Sequence, residues 1–289
     1  MEGANAAQHR QIVATDLSPA SDAMVGCLSG LAAFGARHAL LLQCLEMREA
    51  FSTAYSYSTT VLDVVLARQK ERLVAQGFEV ETRIVPGFAK SEINRIAREE
   101  NYALIVVGSH GHNILSEALL GGVASEVLHG ATRPVLVMRI ARDPASGEVC
   151  LLPAGCDLAS HVLYATDFSE NSERAFGVVE QMVDVGVRRV TLLHVHEDTP
   201  SAELESTARV RLERLRARLT SHGSVKVDIE LVTGKPYRKI VDIAVACGAH
   251  LIVMGSQGHG FVPELFLGSV SHQVARHASM PVLLVPAAR

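Results

Sequence analysis

Residues 252–258 read IVMGSQG, and residues 105–111 read IVVGSHG. Each is an apolar run without alternation that stops at a glycine. That is the pattern of a strand covered on both faces and released into a tight loop. Working outward, the correspondence continues: VLYATDFS at 162–169 echoes QIVATDLS at 11–18, and MPVLLV at 280–285 echoes RPVLVM at 133–138. Asp16 and Asp167 lie 151 positions apart, Gly108 and Gly255 147. A period of that size is too long for a solenoid unit and fits a duplicated domain. The 289 residues also make about two domains at ~150 residues each. The expected units are residues 1–145 and 155–289, joined near 140–160.

Within each half, short β-branched runs alternate with longer amphipathic stretches. Strands are expected near 11–15, 39–45, 79–85, 103–107 and 134–139, with helices near 19–35, 58–76, 90–100 and 122–131. The second half repeats this with strands near 161–166, 189–195, 225–232, 250–254 and 281–285, and helices near 170–184, 201–221, 236–247 and 269–278. Alternating β and α with doubly covered strands implies α/β architecture: two tandem, doubly wound domains, each a five-stranded parallel sheet with helices on both faces.

Composition narrows the function classes. Apolar residues make up 48% and charged residues 20%, a globular balance. No apolar run approaches the ~18–20 residues that span a bilayer, so no membrane partner is expected. The opening MEGANAAQHR shows no apolar stretch behind its charge, and a cytoplasmic location is the expectation. A net charge of −4, 8 Phe, 5 Tyr and no Trp argue against a nucleic-acid surface. Five cysteines with no C-x-x-C pair suggest reduced, buried thiols, with a redox role for the neighbours Cys150 and Cys156 as the alternative.

In an open α/β sheet, ligands sit beyond the carboxyl ends of the strands. Two segments gather there in each half: the ATD-x-S turn and the glycine loop after the fourth strand. If the first and fourth strands are neighbours, these loops face one crevice. The second-half loop, GSQGHGFVPELFLGSVSHQVARHA, spaces Gly255, Gly258 and Gly268 as G-x2-G-x9-G and follows with Ser269. Glycines let the backbone approach a ligand, and the helix opening at Gly268 and Ser269 presents free N–H groups to an anion, phosphate above all. Ser269 would equally serve as a plain N-cap, and Asp16 and Asp167 as turn-orienting carboxylates.

Together, ATDFS, the VTGKP segment at 232–236 and G-x2-G-x9-G-S followed by PVLLV resemble the universal stress protein family, once per half. The resemblance implies strand order 3-2-1-4-5, a tandem member and, in one branch of the family, ATP or ADP held with Mg²⁺. It places the base near Ala165, Thr166, Asp167, Val195, Met254 and Gly255. Ribose and phosphates fall to Gly255, Gly258, Gly268, Ser269, Val270 and Ser271. The fifth strands (PVLVM and PVLLV) lie at sheet edges under that order, and the resemblance implies that two such domains pair through them. An internal pseudo-dimer is therefore expected, and a homodimer is conceivable.

The first half keeps Asp16, Gly108, Gly111 and Gly121, but Gly122 replaces the serine and Ala124 stands for Ser271. It is expected to bind nucleotide weakly or not at all. Other motifs carry less. Gly234-Lys235 lacks the rest of a P-loop, so Lys235 reads as a solvated turn residue within reach of a phosphate. His194 and His196 share one strand face without an evident third metal ligand, and no metal site is expected. His110, His112 and His259 fall in the loops, where exposure is the default. No activated nucleophile is readable. The leading expectation is an ATP-binding stress or signalling protein working as a nucleotide-dependent switch. A slow ATPase, or a nucleotide-free interaction module holding another small ligand, is the alternative.

Overall fold

The computed structural model describes residues 10–45, 55–110, 120–142, 149–151, 156–258 and 267–288. The first half runs β1 (Arg10–Thr15), α1 (Pro19–Val25), β2 (His38–Leu45), α2 (Tyr55–Ala75), β3 (Glu79–Pro86), α3 (Ala89–Glu99), β4 (Leu104–Gly108), α4 (Gly122–Gly130) and β5 (Val135–Met138). A short antiparallel hairpin follows, β6 (Ile140–Arg142) and β7 (Val149–Leu151). The second half runs β8 (Val162–Ala165), α5 (Glu170–Asp184), β9 (Arg189–His196), α6 (Ala202–His222), β10 (Lys226–Thr233), α7 (Pro236–Ala246), β11 (Leu251–Gly255), α8 (Ser269–His277) and β12 (Val282–Val285).

The strands form one ten-stranded sheet in the order β10-β9-β8-β11-β12-β5-β4-β1-β2-β3. Each half is parallel, as its sequence pattern implied, and ordered 3-2-1-4-5, as the family resemblance implied. The halves meet at the antiparallel pair β5–β12, with Val135 opposite Leu284, Leu136 opposite Leu283 and Val137 opposite Val282. These six side chains are at most 1% exposed, so two apolar edges that would otherwise invite pairing cover each other.

Strand side chains alternate between two cores, each continuous across both halves. Val13, Val106, Leu136, Tyr164 and Leu283 face α1, α2, α5 and α6, represented by Met24, Leu73, Phe176 and Leu212. Ile12, Ile105, Val135, Leu163 and Leu284 face α3, α4, α7 and α8, represented by Ile96, Val127, Ile240 and Val274. The middle six strands thus turn apolar side chains toward both layers, with Gln11 of β1 an exception, and their sequences therefore lack alternation.

The structure departs from the sequence reading in three places. The helix expected over 19–35 stops at Gly26, and a 3-10 helix (Ser29–Phe34) replaces its second part. There the Leu28 N–H donates to Gln76 Oε1 at 2.8 Å, fixing the break from α2. The connector, for which no strand was expected, carries the β6–β7 hairpin. Finally, the thiols are not all free: Cys27 and Cys156 form a disulfide with Cα atoms 4.8 Å apart, whereas Cys150, the sequence neighbour of Cys156, is unpaired with another cysteine. The bond ties the end of α1 to the chain entering β8.

Candidate functional site

The turn after the first strand of each half is built identically. Leu17 and Phe168 take left-handed backbone conformations, φ 59° and 63°, uncommon for side chains of that bulk. The preceding threonine holds each: Leu17 N–H donates to Thr15 Oγ1 at 3.0 Å and Phe168 N–H to Thr166 Oγ1 at 2.9 Å. Asp16 Oδ1 accepts from the Ser18 hydroxyl at 2.6 Å, and Asp167 Oδ1 does the same for Ser169. Those serines then cap α1 and α5 by accepting from Ser21 N and Ser172 N. Both aspartates therefore orient a turn and a cap in either half, whatever else they touch.

Because β8 pairs with β11, the two loops do face each other in the second half. Their approach is close enough that a Cβ on Gly258 would collide with the second carboxylate oxygen of Asp167. A Cβ on Gly255 would sit 2.8 Å from Asn171 Nδ2, itself bonded to the Gln257 carbonyl at 3.0 Å. The glycines are thus required by packing between the crevice walls. Asn171 was not singled out by sequence reasoning. Its signal is that the otherwise matching first half carries Ala20 there.

Gly268 begins α8 without any side-chain cap, and Ser269 at its first position is exposed. Among the described residues no serine or aspartate caps the first-turn N–H groups of α8, in contrast to α5. Val195, Met254 and Val270 lie on the sheet face of that same helix and supply apolar wall. Ala165, Thr166, Met254 and Gly255 are buried, while Asp167, Val195, Gly268 and Val270 are half-buried. Ser271 is 2% exposed, and its hydroxyl donates to the Ser256 carbonyl at 2.6 Å, closing the loop onto α8. Lys235 is exposed at the start of α7.

His194 donates from Nδ1 to the Thr166 carbonyl at 2.8 Å, and its ring lies 4.5 Å from that of Phe168, bracing the turn. Burial holds its imidazole below the usual 6.5. Among the described residues no three His, Cys, Asp or Glu side chains converge as a metal cluster.

The first-half crevice has the same backbone and different contents. Gly121 N–H donates to the Ser109 carbonyl at 2.7 Å, as Gly268 does to Ser256. What closes on Gly108 is the Ile140 side chain from the hairpin, 2.6 Å from a would-be Cβ, in the role that Asn171 plays at Gly255. Gly122 offers no hydroxyl, and Ala124 cannot clamp the loop. Cys44 stands where the repeat puts Val195; burial and Glu92 push its thiol up to about 12, so it serves as neutral wall. His110, expected to be exposed, is 6% exposed and contacts Ser109 Oγ through Nδ1 at 3.0 Å. Gly111, His112 and His259 lie outside the described residues.

A two-fold repeated, doubly wound domain with a glycine loop feeding an uncapped helix defines the class of protein. The chain belongs to the universal stress protein family, whose sequence profile matches residues 9–139 and 159–286. A universal stress protein of Mycolicibacterium smegmatis is 28% identical over 300 residues, covering 97% of this chain and 98% of that one. One from Thermus aquaticus is 36% identical over 132 residues, 43% of this chain and 96% of its own. The crystal structure of a universal stress protein from Archaeoglobus fulgidus superposes with a TM-score of 0.74 at 26% identity, covering 96% of this chain and 95% of that one.

Proposed function

We propose that the second half binds an adenine nucleotide, ATP or ADP, and that the chain works as a nucleotide-dependent switch in stress signalling. The observation that carries this reading is the opening of α8, where Gly268 brings no side-chain cap and Ser269 is exposed, set across a crevice whose walls approach closely at Gly255 and Gly258. Backbone N–H groups of Ser269 and Val270 and the Ser269 hydroxyl would hold phosphate oxygens. Gly255 and Gly258 would let the ribose and phosphates approach the backbone. Val195 and Met254 would flank the base, with Ala165, Thr166 and Asp167 along its edge. Mg²⁺ would bind through phosphates and water. Ser271 would act one step behind, keeping the loop closed on α8.

Among the described residues around this crevice there is a braced turn and a helix opening but no paired base and nucleophile, which favours binding over turnover. Asn171 gives the switch a mechanical link, since the loop residue Gln257 is bonded to the start of α5. The antiparallel β5–β12 pair acts as the chain's internal counterpart of a two-domain dimer.

Native mass spectrometry of the intact protein tests the reading. Retention of one nucleotide mass per chain is expected. Absence of any bound nucleotide, together with no heat on titrating Mg-ATP to millimolar concentration, would overturn it.

A further inference from the structure

Away from the glycine loops, a cleft of about 290 Å³ lies where the first half's sheet meets the last turns of α5. Phe34, Leu104, Val178, Met182 and Leu283 supply an apolar wall. Arg10, Gln11, Gln181 and Asp184 are the polar side chains of its lining, and Gln11 is the buried one among them. Gln11 projects from β1 onto the same face as Val13, lines the cleft and is 1% exposed. Neither its Oε1 nor its Nε2 has a hydrogen-bond partner among the described residues.

Burying both ends of an amide unpaired is unfavourable, and a well-packed core offers simpler solutions. The repeat shows one: the position matching Gln11 in the second half is Val162, fully buried and apolar. The fold thus accepts valine at this register, and the first half carries glutamine beside a cleft.

We propose that this cleft binds a small neutral molecule with an apolar body and a carboxamide or lactam end. A glutamine amide presents an acceptor and donors side by side. A group offering a donor and an acceptor in the same arrangement satisfies both at once. A carboxylate would accept from Nε2 but set a negative oxygen against Oε1, and an ammonium would leave Nε2 unpaired. The rim disfavours charge as well. Arg10 is engaged with the Glu100 carbonyl and the Tyr102 hydroxyl, and Asp184 stands at the mouth. The size of the cleft is at the lower end of small-molecule sites, ~300 Å³ and upward.

Ligand-observed NMR titration of the full chain with benzamide, benzoate and ethylbenzene tests this assignment. Saturable benzamide binding is expected, about tenfold tighter than either analogue. Gln11→Leu removes the orphaned amide, so it should melt no lower than the parent chain while benzamide weakens about tenfold and ethylbenzene does not. ATP affinity should be the same in both proteins, because Gln11 takes no part in the α8 crevice. The assignment is overturned if benzamide fails to saturate, if benzoate binds as well, or if Gln11→Leu retains full benzamide affinity. A cleft holding water alone gives the first of these outcomes.

Discussion

The two crevices of this chain are an internal experiment. Their first-strand turns are the same to a tenth of an ångström: both Asp–Ser hydrogen bonds measure 2.6 Å, and both turns carry a left-handed residue braced by threonine. What differs is the surface toward the crevice and what packs behind it. Ser269 faces Gly122, Ser271 faces Ala124, Val195 faces Cys44, and Asn171 faces Ala20 with Ile140 filling the gap. The agreement shows what the shared backbone requires, and Asp167, which makes the same turn bonds as Asp16, has a structural role in both halves. Under the proposed function, Ser269 is the position at which the halves are most simply told apart.

The comparison holds only while the halves share one frame, and the disulfide is the largest single term in that frame. Cys27 and Cys156 close a loop over a sequence separation of 129. Chain entropy puts the upper bound on its contribution at about 5 kcal/mol. Reduction, or Cys27→Ser with Cys156→Ser, should lower the melting temperature markedly and separate one melting transition into two. A single transition at an unchanged temperature would show that the β5–β12 pair alone holds the halves together.

Gly258→Ala should produce the next largest effect. The added methyl meets the Asp167 carboxylate, so overpacking should cost about 1–3 kcal/mol of stability, and the displaced crevice wall should weaken ATP roughly tenfold or more. Calorimetry checks it. Unaltered affinity would mean that the nucleotide does not use this crevice, and the functional contrast between the halves would collapse.

Two serines, two residues apart in the first turn of α8, sharpen the contrast. Ser269→Ala should weaken ATP by roughly tenfold or more with little change in melting, since an exposed hydroxyl bonded to a charged group is lost. Ser271→Ala should do the reverse. It removes buried bonds to the Ser256 and Gly268 carbonyls, costing about 1–2 kcal/mol of stability, and touches affinity indirectly. In the first half, Gly122→Ser with Ala124→Ser supplies both functions at once and should raise that site's ATP affinity about tenfold. If the double substitution does nothing, the Ile140 packing and the missing Asn171 are what disable the first crevice.

Most of this architecture was legible because its signals are local. Doubly apolar strands, glycine exits and serine caps recur twice, and strand and helix limits fall within a few residues of their expected places, the break at Gly26 excepted. The parts that were not legible depend on distant chain. A disulfide between residues 129 apart has no spacing signature. The strands of the β6–β7 hairpin, Ile140–Arg142 and Val149–Leu151, fall in the stretch expected only to join the halves. Burial of Ser271 is decided by a carbonyl fifteen residues earlier, so an α-helical first-turn serine looks the same in sequence whether it faces phosphate or protein. Gln11 is a polar residue in an apolar strand, visible in sequence, but its meaning appears only once α5 is seen to leave a cleft beside it.

The smallest expected effect concerns the place where the terminal helices of the halves touch. His129 at the end of α4 and His272 in α8 lie with ring centroids 6.1 Å apart, and the repeat does not pair them: His272 matches Ser125. Burial, then His129, Arg276 and His277, hold the His272 imidazole below its ordinary 6.5. A depressed imidazole means that the folded chain resists a proton which the unfolded chain accepts. Stability is therefore complete above about 6.5 and declines as the pH falls from there toward the lower folded value. The shift in melting temperature should be on the order of 1–2 °C, because the pair is partly solvated. His272→Gln should flatten the pH dependence more than His129→Gln, since burial at position 272 is the larger cause. Equal slopes in all three proteins would remove this contact from the account and leave β5–β12 and the disulfide as the joints that matter.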